Sequence, residues 1–437
     1  MDAKIADTGG TGDNPMSNRP KAWRWLRRGV AALLLLLALL PLSGWLFLRG
    51  SLAQLDGKVA VAGLRAEVTV TRDALGIATI SGRQRDDVAY ATGYLHGQDR
   101  FFQMDLLRRV AAGELSALIG PAALRLDRQH RLHRFRARAQ AALQRVPAAE
   151  RELIDRYVAG VNDGLGALTT RPFEYALLRT QPQPWQPADS LLVVWAMYFD
   201  LQGNLQDREL GRGWLREHAT AEQLAVLLPT GSVWDAPLDA SAVTEVAAPL
   251  PARAPAWLGG TLVGARALVP AVPADLRASV GSNNWAVAGS RSETGAAVVA
   301  HDMPLGLRLP HIWYRGVLQY TAADGAPRRI AGVMLPGAPA VVVGSNGRVA
   351  WGFTNSYGDY LDLIELERDP QEARRWRTPA GWETAQAYDE RIAVHGSAEE
   401  TLTVLETSLG PIWQVAGRAY AVHWIAHDPG AVNMNLL

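Results

Sequence analysis

The stretch from Gly29 to Leu48 carries no charged residue. It is bracketed by Lys21, Arg24, Arg27 and Arg28 on one side and by Arg49 on the other. At ~1.5 Å of rise per residue, a helix of about 20 residues crosses a ~30 Å hydrocarbon core. The run has no polar face, so it does not read as the surface helix of a soluble domain. Cations ahead of it hold that end in the cytoplasm. Residues 29–48 are therefore expected to be a transmembrane anchor, with residues 1–28 a cytoplasmic polar and basic tail. Everything beyond Arg49 would lie outside the inner (cytoplasmic) membrane, in the periplasm. A cleaved secretory signal is the competing reading, with Pro41-Leu42-Ser43-Gly44 at its end. The apolar run continues through Trp45-Leu46-Phe47-Leu48, which favours an anchor that is kept.

Composition narrows the classes. Lys+Arg 44 against Asp+Glu 43 gives no reason to expect nucleic acid as a partner. Hydrophobic residues at 48% and charged residues at 20% describe a globular chain. Cysteine is absent, which excludes disulfides, thiolate metal sites and a cysteine nucleophile. The tryptophans, 15 in all, are expected mostly in the core.

Hydrophobic periodicity divides the rest. Residues 67–80 read as two short strands around Asp73-Ala74-Leu75-Gly76. From Asp86 to Ile119 the apolar positions recur at helical spacing, and Gly120-Pro121 stops them. Residues 125–165 are again helical, and their run of Arg125, Arg128, Arg131, Arg134, Arg136 and Arg138 reads as a solvated face. Further helices are expected over 186–228. An Ala/Pro-rich stretch, residues 248–281, reads as a linker. Beyond it come six candidate strands, Trp285–Ser290, Ala296–His301, Trp313–Tyr320, Arg329–Met334, Ala340–Val343 and Arg348–Phe353. Ser345-Asn346-Gly347 makes the hairpin turn between the last two. Helices first and strands after suit an α+β or layered architecture, not alternating βαβ units.

Val280-Gly281-Ser282-Asn283-Asn284-Trp285 opens the first of those strands directly after the linker. A serine hydroxyl needs a base to become a nucleophile. No Gly-x-Ser-x-Gly elbow surrounds Ser282, and no Asp/His pair is evident for a triad. Cutting the Gly281–Ser282 bond would supply another base, the freed α-amine of Ser282, whose ordinary pKa is near ~8. Nucleophile and base would then belong to one residue. Gly281, without a Cβ, lets the hydroxyl approach the preceding carbonyl. Standing alone, these turn-forming residues describe an ordinary loop-to-strand junction.

The flanking blocks change that reading. Val70-Thr71-Arg72-Asp73-Ala74-Leu75-Gly76-Ile77-Ala78-Thr79-Ile80, then Ala91 through Arg109 with His96-Gly97-Gln98-Asp99-Arg100-Phe101, then Gly113-Glu114-Leu115-Ser116 resemble the α subunit of the penicillin acylase family. Ser282-Asn283-Asn284-Trp285, Ala300-His301-Asp302-Met303-Pro304-Leu305 and Trp351-Gly352-Phe353-Thr354-Asn355 resemble the start of its β subunit. The resemblance implies a four-layer αββα N-terminal-nucleophile hydrolase fold. The α-subunit-like region would be 52–247 and the β-subunit-like region 282–437. It also implies a precursor cut before Ser282 with loss of a spacer within 248–281, and hydrolysis of N-acyl amides through an acyl-enzyme on Ser282. Asn355 would give a backbone N–H to the oxyanion, a donor commonly worth ~3 kcal/mol. One structural Ca2+ is implied at Glu174, Asp359, Asp362 and the Leu361 carbonyl, a set of hard oxygen donors suited to that ion.

Two departures stand against the family pattern. Many members carry a histidine where this chain has Pro304, which offers neither N–H nor side-chain acceptor; His301 points to the other face of its strand and is expected to be structural. Members also run further, and the second oxyanion donor, an asparagine, lies in that further part. The chain is therefore expected to be truncated in its β-subunit-like region, with the fold incomplete at the C-terminus. These departures keep a second reading open, an inactive envelope protein of the same ancestry that binds a ligand or partner. Penicillins, acyl-homoserine lactones and other N-acyl amides are the candidate substrates. Phe102, Trp313 and Tyr314 are candidate liners of an acyl pocket.

Overall fold

The computed structural model describes residues 21–229, 253, 255–258, 282–303, 305–355 and 358–432. The expected linker, apart from 253 and 255–258, lies outside them, as do Gly281 and Pro304.

Helix α1 (Lys21–Gly50) contains Pro41 and is exposed along nearly its whole length. Its Trp23–Gly50 portion is long and apolar enough to cross a membrane. Strands β1 (Thr69–Arg72) and β2 (Ala78–Ser81) follow, paired antiparallel. Their turn is tied by Asp73, whose Oδ1 accepts from the Leu75 and Ile77 amides at 2.9 Å each.

The expected helix over 86–119 is two helices, α2 (Arg85–Ala112) and α3 (Ser116–Ile119). Gly113 ends α2 in the left-handed conformation (φ 65°), its N–H turned back to the Arg109 and Val110 carbonyls. A Cβ there would also meet the Asp127 carbonyl oxygen at 2.7 Å. This is a helix-ending glycine that the apolar spacing runs straight through. Next come α4 (Leu124–Arg131), α5 (Phe135–Leu143), α6 (Ala148–Gly166), α7 (Phe173–Leu177), α8 (Pro187–Gln202), α9 (Leu205–His218) and α10 (Ala221–Leu227).

The strands after the linker are β3 (Asn284–Val287), β4 (Val298–His301), β5 (Tyr314–Thr321), β6 (Pro327–Met334), β7 (Val341–Ser345) and β8 (Ala350–Trp351). They continue as β9 (Leu361–Glu365), β10 (Glu367–Arg368), β11 (Arg375–Thr378), β12 (Gly381–Thr384), β13 (Gln386–Ile392), β14 (Glu400–Thr407), β15 (Gly410–Val415) and β16 (Arg418–Trp424). The largest sheet has the order β1-β2-β5-β6-β7-β8, and the second β13-β14-β15-β16-β9. Within the first, β2 runs parallel to β5, with Ala78 opposite Gly316, so strands from both sides of the linker share one sheet. The Ser345-Asn346-Gly347 hairpin forms as expected, with Gly347 at φ 83°.

Helices α2 and α6 cross at backbone contact. A Cβ on Gly93 or Gly97 would sit 2.1 or 2.3 Å from the Tyr157 or Val161 carbonyl oxygen. On Gly160 or Gly164 it would sit 1.9 or 2.1 Å from that of Tyr90 or Tyr94. Glycine is required at all four positions because the opposing atoms are backbone and cannot rotate away. Beside this crossing, Tyr157 Oη accepts from the Gly337 amide (2.8 Å) and bonds His96 Nδ1 (2.7 Å), linking both helices to the loop after β6. Burial pushes the His96 pKa down to about 3. His133 is likewise lowered to about 3, first by burial.

Arg125 is exposed, but the rest of the arginine run is not simply a solvated face. Arg131 and Arg134 pair with Glu390 on β13 at 3.0 Å each. Arg134 also reaches Glu406 on β14 at 2.9 Å, and Arg138 pairs with the same carboxylate. Arg136 bridges Glu114 and buried Asp189. Arg128 pairs with Glu400 while still half-exposed. The partners lie more than 250 residues on in sequence for the β-strand contacts, which is why spacing alone misses them. Arg134 itself is held at φ 52°, a left-handed conformation rare for a residue with a side chain and fixed here by two carboxylates.

Gly160→Ala should destabilise the chain by ~3 kcal/mol, the upper end for an overpacked site. Gly166→Ala, with nothing near its added Cβ, should leave the thermal transition in place. His96 and His133 are buried neutral, so the unfolded chain takes up protons first as pH falls below ~6.5, and native stability drops from there toward pH 3. The urea midpoint should thus be lower at pH 5 than at pH 7, by a smaller margin in His133→Asn.

Candidate active site

Ser282 is half-exposed and lies immediately ahead of β3. Asn284 and Trp285 start a strand that pairs with β4, Asn284 facing His301 and Val287 facing Val298. The end of this ribbon is held by Asp302. Its carboxylate accepts from the Asn283 amide and, at 3.1 Å, from Asn283 Nδ2, while its own amide donates to the Asn283 carbonyl at 2.9 Å. The Asn283 backbone and side-chain donors hold the Asp302 carboxyl below its ordinary pKa, with a smaller contribution from His301. The residue after the serine is therefore clamped from three directions.

The second element comes from the Trp351–Asn355 segment. Asn284 Nδ2 donates to the Gly352 carbonyl at 3.0 Å. Gly352 in turn lies against the His301 ring, where a Cβ would fall 2.1 Å from Cδ2. His301 Nδ1 is buried with no hydrogen-bond partner among the described residues. Trp351 Nε1 donates to the Val341 carbonyl at 3.1 Å and pins the segment to the large sheet. Two stretches about 70 residues apart in sequence are thus brought together at the serine's end of β3.

Asn355, Asp359 and Leu361 line one cavity of ≈ 220 Å³ with Asn204, Arg208 and Glu209 of the α9 region. Glu174 is not among its lining residues. It sits on α7, whose Phe173 lines a separate hollow against the end of α1. Asp362 is exposed on β9 opposite His423, while Leu361 is buried. Among the described residues no three acidic or histidine side chains gather to hold a metal ion. A hard cation takes six to eight oxygens; of the four positions implied for Ca2+, Asp359 and Leu361 line this cavity and Glu174 and Asp362 do not. Glu209, paired with Arg212 at 3.4 Å, lines the same cavity as Asp359. Its only sequence signal is an acid on an amphipathic helix, too common to single out.

A larger cleft of ≈ 800 Å³ opens between the α4 and α8 helices and β14–β15, with Leu107, Met197, Phe199, Ile312, Val404 and Trp413 on its walls. None of Phe102, Trp313 and Tyr314 lines either cavity. Phe102 packs edge-on against Tyr175, and Tyr314 is buried, donating to Asp99 at 2.8 Å.

Residues 67–437 match the family model for penicillin amidase. The chain belongs to the penicillin amidase family. Among relatives of this amidase-family chain, acyl-homoserine lactone acylase QuiP of Pseudomonas aeruginosa is 31% identical over 399 residues, which cover 90% of this chain and 46% of that protein. Penicillin acylase 2 proenzyme of Pseudomonas sp. (strain SE83) is 30% identical over 378 residues, 84% of this chain and 46% of that one. A solved structure, thermostable penicillin G acylase from Alcaligenes faecalis in tetragonal form, is 27% identical. That match covers 41% of this chain and 100% of that chain at a TM-score of 0.36. The chain spans a little under half the length of these curated relatives.

In this penicillin amidase family member the Asp302 clamp depends on the ionised carboxylate. Its pKa is depressed, so the clamp is present above the usual carboxylate range and is lost as pH falls through the lowered value. Hydrogen exchange at the Asn283 amide should be protected at neutral pH and lose that protection in acid. In Asp302→Ala protection should be absent at both.

Proposed function

We propose that this chain carries the catalytic start of an N-terminal-nucleophile amidohydrolase that cleaves N-acyl amides, with Ser282 as nucleophile. The observation that supports it most is the hydrogen bond from Asn284 to the Gly352 carbonyl, two residues after the serine and three before Asn355. In this reading the Gly281–Ser282 bond is cut, a spacer within 248–281 is lost, and the regions 52–247 and 282–437 remain together as the α and β chains of a four-layer αββα fold. Hydrophobic residues from both regions would hold the acyl group.

The chemistry then follows from the residue itself. The free α-amine of Ser282 takes the Oγ proton as Oγ attacks the amide carbon. The oxyanion accepts the Asn355 N–H, a preorganised donor commonly worth ~3 kcal/mol. As the tetrahedral intermediate collapses, the α-ammonium returns the proton to the leaving amine, and the acyl group stays as an ester on Oγ. Water, deprotonated by the same amine, attacks the ester and releases the carboxylic acid. The names of the relatives make acyl-homoserine lactones and penicillins the first substrates to try. The apolar α1 helix is read as a membrane anchor, with the rest of the chain outside the cytoplasm.

Pro304, in place of a histidine found in many members, favours a second reading, an inactive envelope protein of this ancestry that binds an acyl ligand or partner.

Mass spectrometry and N-terminal sequencing of the purified protein should find two chains, the second beginning at Ser282. Ser282→Ala should leave one uncut chain and no amide hydrolysis. An intact wild-type chain without amidase activity would leave the binding reading.

A further inference from the structure

Helix α1 does not end free in solution. The last four carbonyls of a helix have no partner within it. In α1 those of Leu48 and Arg49 accept the Ser51 and Leu52 amides, while the other two are taken by one residue of the globular part. Thr170 donates its amide to the Gly50 carbonyl at 3.0 Å and its hydroxyl to the Phe47 carbonyl at 2.9 Å. Gly50 is pressed onto the same side chain, where a Cβ would meet Thr170 Cγ2 and Oγ1 at 2.9 Å. Thr170 sits between α6 and α7, so the helix is built into the domain at a fixed place.

The surroundings of that junction are apolar and uncovered. Phe173, at the start of α7, lines an open hollow of ≈ 490 Å³ with Trp45, Leu48, Arg49 and Leu52. Leu177 follows Phe173 by four residues on α7 and so shares its face. Leu52, Leu55 and Leu177 are 69%, 66% and 75% exposed. Trp45 lies under the Arg49 guanidinium, 5.1 Å from ring centroid to Cζ, and an aromatic with a cation at the end of an apolar span marks the level of the lipid headgroups. The hollow places Phe173 at that same level.

We propose that α7 and the segment after α1 rest on the bilayer surface. Phe173, Leu177 and Leu52 would insert among the lipids beside the anchor, and Thr170 would hold the domain in that orientation. The occupant of the hollow is lipid, because the patch is continuous with the end of the membrane-length helix. The proposal rests on reading α1 as a retained anchor. It turns a flexible tether into a seated enzyme, with one side of the helical region against the membrane.

The absence of cysteine makes the test direct. Phe173→Cys and Leu177→Cys, with Leu75→Cys as a control at a β1–β2 turn position that is 80% exposed, are made in the full chain. Each is labelled with a fluorophore and reconstituted in phosphatidylethanolamine and phosphatidylglycerol vesicles. Some of the lipids carry a nitroxide ~5–10 Å below the surface, where interfacial apolar faces insert. Loss of fluorescence at 173 and 177 but not at 75 is expected. Chain that floats with the vesicles but shows no greater quenching at 173 and 177 than at 75 would overturn the docking and leave the anchor standing. A mature N-terminus found beyond Gly50, with no flotation, would overturn the anchor and the docking with it.

Discussion

The contact of α2 with α6 is made by backbone, and most of the helical region is positioned by it. Four glycines allow the axes to close until carbonyl oxygens of one helix fill the space where the other would carry side chains. From that fixed line, α2 presents Asp105 to Arg108, Arg109 and Tyr175, all within 2.9 Å and all buried. Arg108 continues to Asp189 on α8, where a capping box fastens the start of that helix. Buried charges are costly unless each is paired and hydrogen-bonded, and this network tolerates little displacement of the helix that carries it. The other side of α2 faces the sheet, with His96 edge-on to Tyr314 at 4.5 Å and Asp99 joining Arg72 of β1 to Tyr314 of β5.

Much of this order was legible in the residues. Alternation marked β1 and β2, the Asn-Gly turn marked the β7–β8 hairpin, and uninterrupted apolarity marked α1. What was not legible depends on partners remote in the chain. Gly93 and Gly97 look like weak points in a helix until α6 is known to lie on them. Gly113 ends α2 although Leu115 and Leu118 keep the apolar rhythm going. Arg131 and Arg134 carry no local sign that Glu390 lies across from them. At the candidate site, the Ser282 junction was visible as linker meeting strand. Asp302 as the clamp on Asn283 was not, because an acid after a strand is ordinary until the ladder brings it back. Glu174 and Glu209 illustrate the same limit, since nothing in either short stretch says which one lines a cavity with Asp359.

The regions before and after the linker are joined by charge as well as by apolar packing. Arg128, Arg131, Arg134 and Arg138 reach three glutamates on β13 and β14. His133 Nδ1 meets His427 Nε2 at 3.0 Å inside an aromatic cluster with Phe135, Phe199 and Trp424. Trp195 of α8 donates to the Ala426 carbonyl at 3.0 Å. None of these contacts uses a residue of the linker.

The parallel pairing of β2 with β5 adds a constraint of timing. β2 is an interior strand, flanked by β1 on one side and by β5 on the other. A chain severed ahead of residue 282 while still unfolded would have to recruit its sheet neighbour by collision between separate molecules, with an exposed strand edge open to wrong partners in the meantime. Carried on one polypeptide, the same neighbours meet as an intramolecular event. The topology thus makes covalent continuity an aid to assembling this sheet.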